Sequence, residues 1–384
     1  MATDIIQPVD RPLMTPSDAQ ANAFRPARLL SLDGLRGFDM LWIIGGQEMV
    51  RSMAKVWPGR FSEAMVQQFE HVPWAGLHFF DVIWTLFMFM VGVSLSFSIA
   101  KRKRMNESDR VILFHAVQRA LILFALGMIA QGNLLDFNLA TFHPFYSVLH
   151  GIAAGYLIAT IVTLKWRVRG QAAVTAGFLV AYWILLVSIP VPGVGRGVLT
   201  PTGNAATYID SLVMGRFYYG ENTWFLSYLG FASSVLLGVL AGELLLSDRS
   251  PKAKCSMLYG YGAGLLIAGL IWSLGLPVIK LLWTSSFVLV AGGISCLMMA
   301  TLYLMIDVLG YRRWVFPFTV IGMNALAVYM ATILFDFRKI GNIFVGHLLP
   351  RVGRWDQFLS ESVALAIVWL ILYWMYRTKS FVKV

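Results

Sequence analysis

The chain has 384 residues, of which 58% are hydrophobic and 13% charged, with a formal net charge of +11 and a mean hydropathy of +0.68. Soluble domains carry about 25% charged residues, so the composition excludes a soluble globular protein, a disordered chain, a collagen-like fibre and a disulfide scaffold. The apolar residues fall in long runs rather than short alternating segments, which excludes a transmembrane barrel and leaves membrane-spanning helices.

In chain order, residues 1–28 are polar, hold Pro8, Pro12, Pro16 and Pro26, and lack the basic start, apolar stretch and cleavage site of a signal peptide. They read as a flexible cytoplasmic tail ahead of one membrane domain over 29–384. A span needs about 20 apolar residues. Candidate spans lie near 33–51, 77–99, 111–131, 143–164, 171–190, 224–246, 257–275, 283–306, 317–337 and 358–376. The fold class is therefore all-α, a polytopic helical bundle of about 10 transmembrane helices. No internal repeat is evident, so an inverted-repeat transporter gains no support.

Basic residues set the orientation. With both termini in the cytoplasm, the inner segments hold 19 Lys and Arg against 10 outside, anchored by KRKR at 101–104 and KWRVR at 165–169. The segment 338–357 is basic yet falls outside, against the trend. The charge lies in loops rather than in a basic stripe with interleaved aromatics, so no nucleic-acid partner is expected. Cys255 and Cys296 give neither metal spacing nor a disulfide. Two long outer segments, 51–76 and 191–223, fall on one side and point to an outward-facing site.

Ionisable residues inside spans are costly and mark function by default. Span 1 opens with SLDGLRGFDM, giving Asp33, Arg36 and Asp39; Asp33 and Arg36 share a helical face and also suit a plain ion pair at the membrane edge. EHVPWAGLHFFD leads into span 2 and supplies His71, Trp74, His78 and Asp81. A histidine transfers protons near neutral pH, and a buried aspartate can orient its ring; the alternative for His71 is an interfacial side chain without a chemical role. His78 and Asp81 alone lack a third metal ligand, so no metal is expected. Arg119 lies within span 3 as a phosphate ligand or the partner of an acid. Lys280 precedes LWTSSF and also reads as a snorkelling lysine. Asn324 lies in IGMNALAVY and could join helices. Hydrolase and nucleotide-triphosphatase motifs are absent from the sequence.

Four of these elements stand in a familiar order: SLDGLRGFDM, H-x-x-W-x-G-x-x-x-x-D over 71–81, KLLWTSSFVLVAGGIS over 280–295 and IGMNALAVY over 321–329. Together, from about residue 28 onward, they resemble the transmembrane acetyltransferases related to heparan-α-glucosaminide N-acetyltransferase, with the NagX-like bacterial proteins. The resemblance implies acetyl transfer from cytosolic acetyl-CoA to the amine of an amino sugar across the membrane. It also implies His71 as the catalytic histidine, with Asp81 beside it. The family's asparagine after span 1 has no match in WIIGGQEMVRSMAKVWPG, where Gln47 or Glu48 would stand in beside Trp74 and His78 around the acceptor. The lumenal domain of the lysosomal enzyme has no counterpart either, so the expected acceptor is a small amino sugar or cell-envelope glycan rather than heparan sulfate. Topology then assigns Arg36 and Arg119 to the CoA phosphates, with Lys280, Trp283, Ser285 and Asn324 along the donor path. A bacterial inner-membrane location and a homodimer are expected from the resemblance. An inner-membrane transporter of amino sugars is the alternative function.

Overall fold

The computed structural model describes residues 29–218, 220 and 222–382; the tail expected over 1–28 lies outside the described residues. Helix α1 (Leu30–Leu41) passes through a π turn (Trp42–Gly46) into α2 (Gln47–Val56) and then α3 (Arg60–Gln68). There follow α4 (Phe79–Arg104), α5 (Asp109–Ala130), α6 (Val148–Lys165), α7 (Val168–Ser188) and the short α8 (Ala205–Met214). The chain continues as α9 (Tyr228–Leu246), α10 (Pro251–Trp272), α11 (Ser285–Leu302), α12 (Phe316–Gly322), α13 (Ala325–Leu334), α14 (Phe337–Val345) and α15 (Asp356–Arg377).

The all-α expectation holds. Eight helices among the described residues are long and apolar enough to cross a membrane, matching expected spans two to eight and the last. The expected span over 317–337 is a bent pair, α12 and α13, inclined at 73°. Span 33–51 is also interrupted. Gly45 takes φ +153°, which favours glycine, and the chain leaves the α1 line there. Beyond the break, α2 and α3 alternate apolar and charged residues and are too short to cross a membrane.

The centre of the bundle is the pairing of α4 with α9. A side chain at Gly92 would collide with the Val235 carbonyl, and one at Gly238 with the Phe89 carbonyl. Glycine is needed at both positions because the two backbones touch there, the usual way membrane helices pack when lipid offers no hydrophobic drive. Around this contact Met88, Phe89, Phe231, Trp283 and Phe287 are fully buried. Isolated polar groups in this core are paired locally: Ser96 donates to Val239 O at 3.0 Å, and His150 Nε2 to Phe124 O at 3.0 Å.

The connections at one end of the bundle are tied together. An antiparallel bridge joins Ala75 to Ile279, and Gly76 N donates to Val278 O at 2.9 Å. Trp74 Nε1 donates to Leu199 O at 2.7 Å, and Thr223 N to Leu281 O at 3.2 Å. The opposite end carries Lys101–Arg104 at the close of α4 and Lys165, Arg167 and Arg169 around the turn from α6 into α7.

Replacing Gly238 by leucine forces α4 and α9 apart and should cost about 3 kcal/mol. Thermal unfolding in detergent will show a clear drop in midpoint, whereas Gly264→Ala, with open space at its Cβ, will leave the midpoint unchanged.

Candidate active site

The site begins with the start of α4. His78 takes an extended conformation as N-cap, and Asp81, three residues on, folds back so that its Oδ2 accepts from His78 N at 3.1 Å. This contact satisfies a donor at the helix start that lipid cannot. The same oxygen accepts from Val72 N at 3.3 Å. The other carboxylate oxygen accepts from His71 Nδ1 at 2.7 Å and from Lys280 Nζ at 3.2 Å. Asp81 is 1% exposed and sits at the positive end of a 26-residue helix, which further favours its charged form.

These contacts fix the state of the imidazole. An ionised carboxylate only accepts, so Nδ1 of His71 carries a proton and, in the neutral ring, Nε2 keeps its lone pair. Lys280 Nζ lies 2.9 Å from His71 Nδ1 and 3.4 Å from Nε2. With Nδ1 protonated, the 2.9 Å approach is proximity enforced by their shared acceptor, not a hydrogen bond. Burial pulls the Lys280 ammonium below its ordinary pKa, and the Asp81 charge opposes that shift. His71 itself is 54% exposed by side chain and lies against the Phe80 ring, 5.0 Å between centroids.

His71 and Lys280 are 209 residues apart. They meet because the 71–78 loop and the 276–284 segment form the bridge described above. Gly76 makes that path possible with φ +127°. Gln47 Nε2 donates to Phe69 O at 2.6 Å, which ties the loop to the start of α2.

Together His71 and Lys280 close one end of a cavity of about 230 Å³ whose walls are apolar, from Met40, Ile83, Phe87, Leu149 and Ile152. Two polar groups interrupt those walls. Tyr329 Oη donates to Gln131 Oε1 at 3.2 Å, and Trp84 Nε1 is buried without a hydrogen-bond partner among the described residues. A second cavity of about 220 Å³ lies toward the basic end, lined by Arg102, His115, Gln118, Arg119, Tyr156 and Thr160. Both follow one seam: α4 contributes Phe80, Trp84 and Phe87 to the first and Ser98 and Arg102 to the second, and α6 contributes Leu149 and Ile152, then Tyr156 and Thr160. Trp84 and Ser98 stand about 21 Å apart along α4 at the helical rise. Arg119 stacks over Tyr156 at 4.9 Å, and its Nε is buried with no hydrogen-bond partner among the described residues. Arg102 pairs with Glu107 at 2.7 Å.

The residues singled out by sequence therefore separate. His71, Asp81 and Lys280 come together, and Arg119 lines the distal cavity. Arg36 lies outside both cavities, 3.6 Å from Asp33 and hydrogen-bonded to Ser94. Trp283 is fully buried, donating to Ser234 Oγ at 3.0 Å, and Ser285 donates to Leu179 O at 2.7 Å. Asn324 sits at the α12–α13 bend and holds the C-terminal segment, through Ser380 O at 3.3 Å and Val382 N at 3.1 Å. Trp74 packs with Tyr182, Leu186, Ile279 and Leu282 in a small core beneath the loops. His78 holds Glu70 O at 2.9 Å, and Glu48 pairs with Arg51 at 2.6 Å. Sequence reasoning passed over Gln131 and Tyr329. Tyr329 lies in the same motif as Asn324, and its place on the cavity face of α13 was its signal.

No family model matches the chain. Among curated proteins, it is 25% identical to human heparan-alpha-glucosaminide N-acetyltransferase, across 94% of this chain and 60% of the human protein. It is 24% identical to the mouse protein of the same name, across 82% of this chain and 56% of that protein. The chain thus spans somewhat over half the length of these relatives, and its sequence is heparan-alpha-glucosaminide N-acetyltransferase-like.

Removing the Asp81 carboxyl would strand Val72 N, His78 N and the Lys280 ammonium. Asp81→Ala should cost about 3–5 kcal/mol, seen as a large fall in thermal midpoint, while Trp74→Phe, losing one neutral hydrogen bond, should cost about 1 kcal/mol.

Proposed function

We propose that this protein is a membrane-embedded N-acetyltransferase that moves an acetyl group from acetyl-CoA to the amine of an amino sugar, with His71 as the reacting base. The observation that carries the reading is the His71–Asp81–Lys280 cluster closing an apolar cavity. Two relatives named as N-acetyltransferases support it.

The chemistry follows from the geometry. An amino-sugar nitrogen is largely protonated near neutral pH and must lose a proton to become a nucleophile. Nε2 of His71 holds the lone pair that takes it, and Asp81 keeps the ring in that tautomer and stabilises the imidazolium. The amine nitrogen then attacks the thioester carbonyl. The C–N bond forms, the C–S bond breaks, and CoA leaves as a thiolate that takes up a proton. In a two-step route the same Nε2 first accepts the acetyl group and then yields it to the amine. Lys280 is placed to stabilise the negative charge that develops on the carbonyl oxygen.

The two-cavity seam suits a donor with its acyl group at one end and its phosphates at the other. The acyl end belongs in the apolar cavity beside His71 and Trp84. The phosphates belong with Arg119 and its neighbours His115 and Gln118, where Arg119 offers an unused buried donor. On this reading the basic end and both termini lie in the cytoplasm and His71 on the far side. An inner-membrane, NagX-like bacterial enzyme that forms a homodimer and takes a small amino sugar or cell-envelope glycan is the setting we infer.

Purified protein incubated with acetyl-CoA and glucosamine should release free CoA and N-acetylglucosamine in equal amounts. Asp81→Asn and Lys280→Met should each lower kcat by about a hundredfold or more. Absence of product from folded wild-type protein would overturn the proposal. Arg119→Ala should raise the KM for acetyl-CoA about tenfold with little change in kcat, and an unchanged KM would remove Arg119 from the donor site.

A further inference from the structure

Beside the reaction cavity lies a larger apolar cleft of about 460 Å³, formed by the π turn, α2, α3 and α15. Leu41, Trp42, Met53, Phe61, Phe358 and Leu365 line it. Only the wall of α1 separates the two spaces: Leu41 and Trp42 face the cleft, and their chain neighbours Met40 and Ile43 face the reaction cavity. Trp42 also touches Phe69 at 4.7 Å, two residues before His71. The wall between the cleft and the reaction cavity therefore packs on the loop that carries His71.

Its two covering helices have the character of interfacial segments. Neither α2 nor α3 can span a membrane, and α3 buries none of its residues. Phe61 is 80% exposed on the cleft side of α3, while Glu63 and Glu70 line an adjoining cavity of about 270 Å³ between α2 and α3. The rim of the cleft is basic. Lys55 and Arg60 flank the lining residues Ala54 and Phe61. Arg354 comes in beside them, because Trp57 packs edge-on against Trp355 at 4.9 Å and Lys55 Nζ reaches Gln357 Oε1 at 2.6 Å. No acid pairs with Lys55, Arg60 or Arg354 among the described residues. Of the four cations in 338–357, the segment that runs against the charge bias of the other loops, Arg354 is the one at this rim, while Arg338 and Lys339 pair with Glu361 and Asp336.

We propose that this cleft holds the hydrocarbon chain of a lipid-linked, phosphate-bearing acceptor, whose sugar amine is thereby delivered to His71. The apolar lining takes the chain, the basic rim takes the phosphate, and only the α1 wall then lies between the headgroup and the cavity that His71 closes. Arg354, one of the cations of 338–357, then has a function as a headgroup anchor rather than a topology signal. This inference rests on the acetyl-transfer reading of the same site.

The test uses full-length protein in nanodiscs and two acceptors, free glucosamine and glucosamine joined through a phosphodiester to a long alkyl chain. The lipid-linked acceptor should show kcat/KM higher by about tenfold or more, since each buried methylene adds to affinity. Met53→Trp, which fills the cleft, and the rim variant Lys55→Ala with Arg354→Ala should erase that advantage and leave free glucosamine unaffected. Equal kcat/KM for the two acceptors, or parallel losses on both in the variants, would overturn the inference while leaving acetyl transfer standing. Transfer to neither acceptor would overturn the parent reading, so occupancy is measured separately. A diazirine-bearing version of the lipid-linked acceptor should label α2 or α3, and unlabelled lipid-linked acceptor should compete while phosphatidylcholine does not. Labelling elsewhere, or equal competition by phosphatidylcholine, would identify the cleft as an ordinary lipid seat and overturn the inference.

Discussion

A carboxylate cannot be buried at the rim of a bilayer unless donors surround it, and everything around the site follows from how Asp81 meets that demand. Its two oxygens collect His71 Nδ1, Lys280 Nζ, Val72 N and His78 N. Those donors come from the loop before α4, from the cap of α4 and from the segment before α11. The carboxylate is thus satisfied only when three separate stretches of chain have reached their final places. The same demand sets the imidazole tautomer, so the feature that permits burial of the acid also orients the His71 ring.

The rest of the bundle keeps that arrangement rigid and gives it a path. The glycine contact between α4 and α9 fixes the helix that carries Asp81. The face of α4 turned the other way, toward α6, holds both cavities, the first closed by α13 with aromatic and aliphatic walls near His71 and the second by α5 with cationic ones toward the KRKR end. A molecule with one reactive apolar end and one charged end matches that polarity of the seam, whereas a small solute crossing the membrane would need polar groups throughout. The helix break at Gly45 adds a second space on the other side of α1. One short wall of α1 therefore stands between the seam and this apolar cleft.

Much of this was legible in the sequence because the informative residues lie close together in it. The spacing from His71 to Asp81 can be read directly, and so can a lysine ahead of an apolar run. The all-α bundle is equally plain from hydropathy. Motif membership, however, carries no side-chain direction. Trp283 and Ser285 follow Lys280 within a few residues, yet they face the core. Asn324 ties down the C-terminal segment, while Tyr329 of the same motif reaches the cavity. Hydropathy also could not distinguish an intact span at 33–51 from a helix broken by a glycine pair, since Trp42–Gly46 stays apolar through the break. Gln47, chosen as a stand-in for a missing polar residue, instead supports the backbone at Phe69. Those outcomes depend on helix phase and on distant partners, which a window of sequence does not contain.

The most direct measurement of the central claim is sided acetyl transfer in proteoliposomes, with acetyl-CoA sealed on the side of the basic end and glucosamine supplied only on the side of His71. The reading of the His71 cluster predicts N-acetylglucosamine accumulating on the glucosamine side with wild-type protein, and a loss of about a hundredfold or more with His71→Ala in protein of unchanged thermal midpoint. Wild-type rates retained by that variant, or uptake of unmodified glucosamine in the absence of acetyl-CoA, would contradict it.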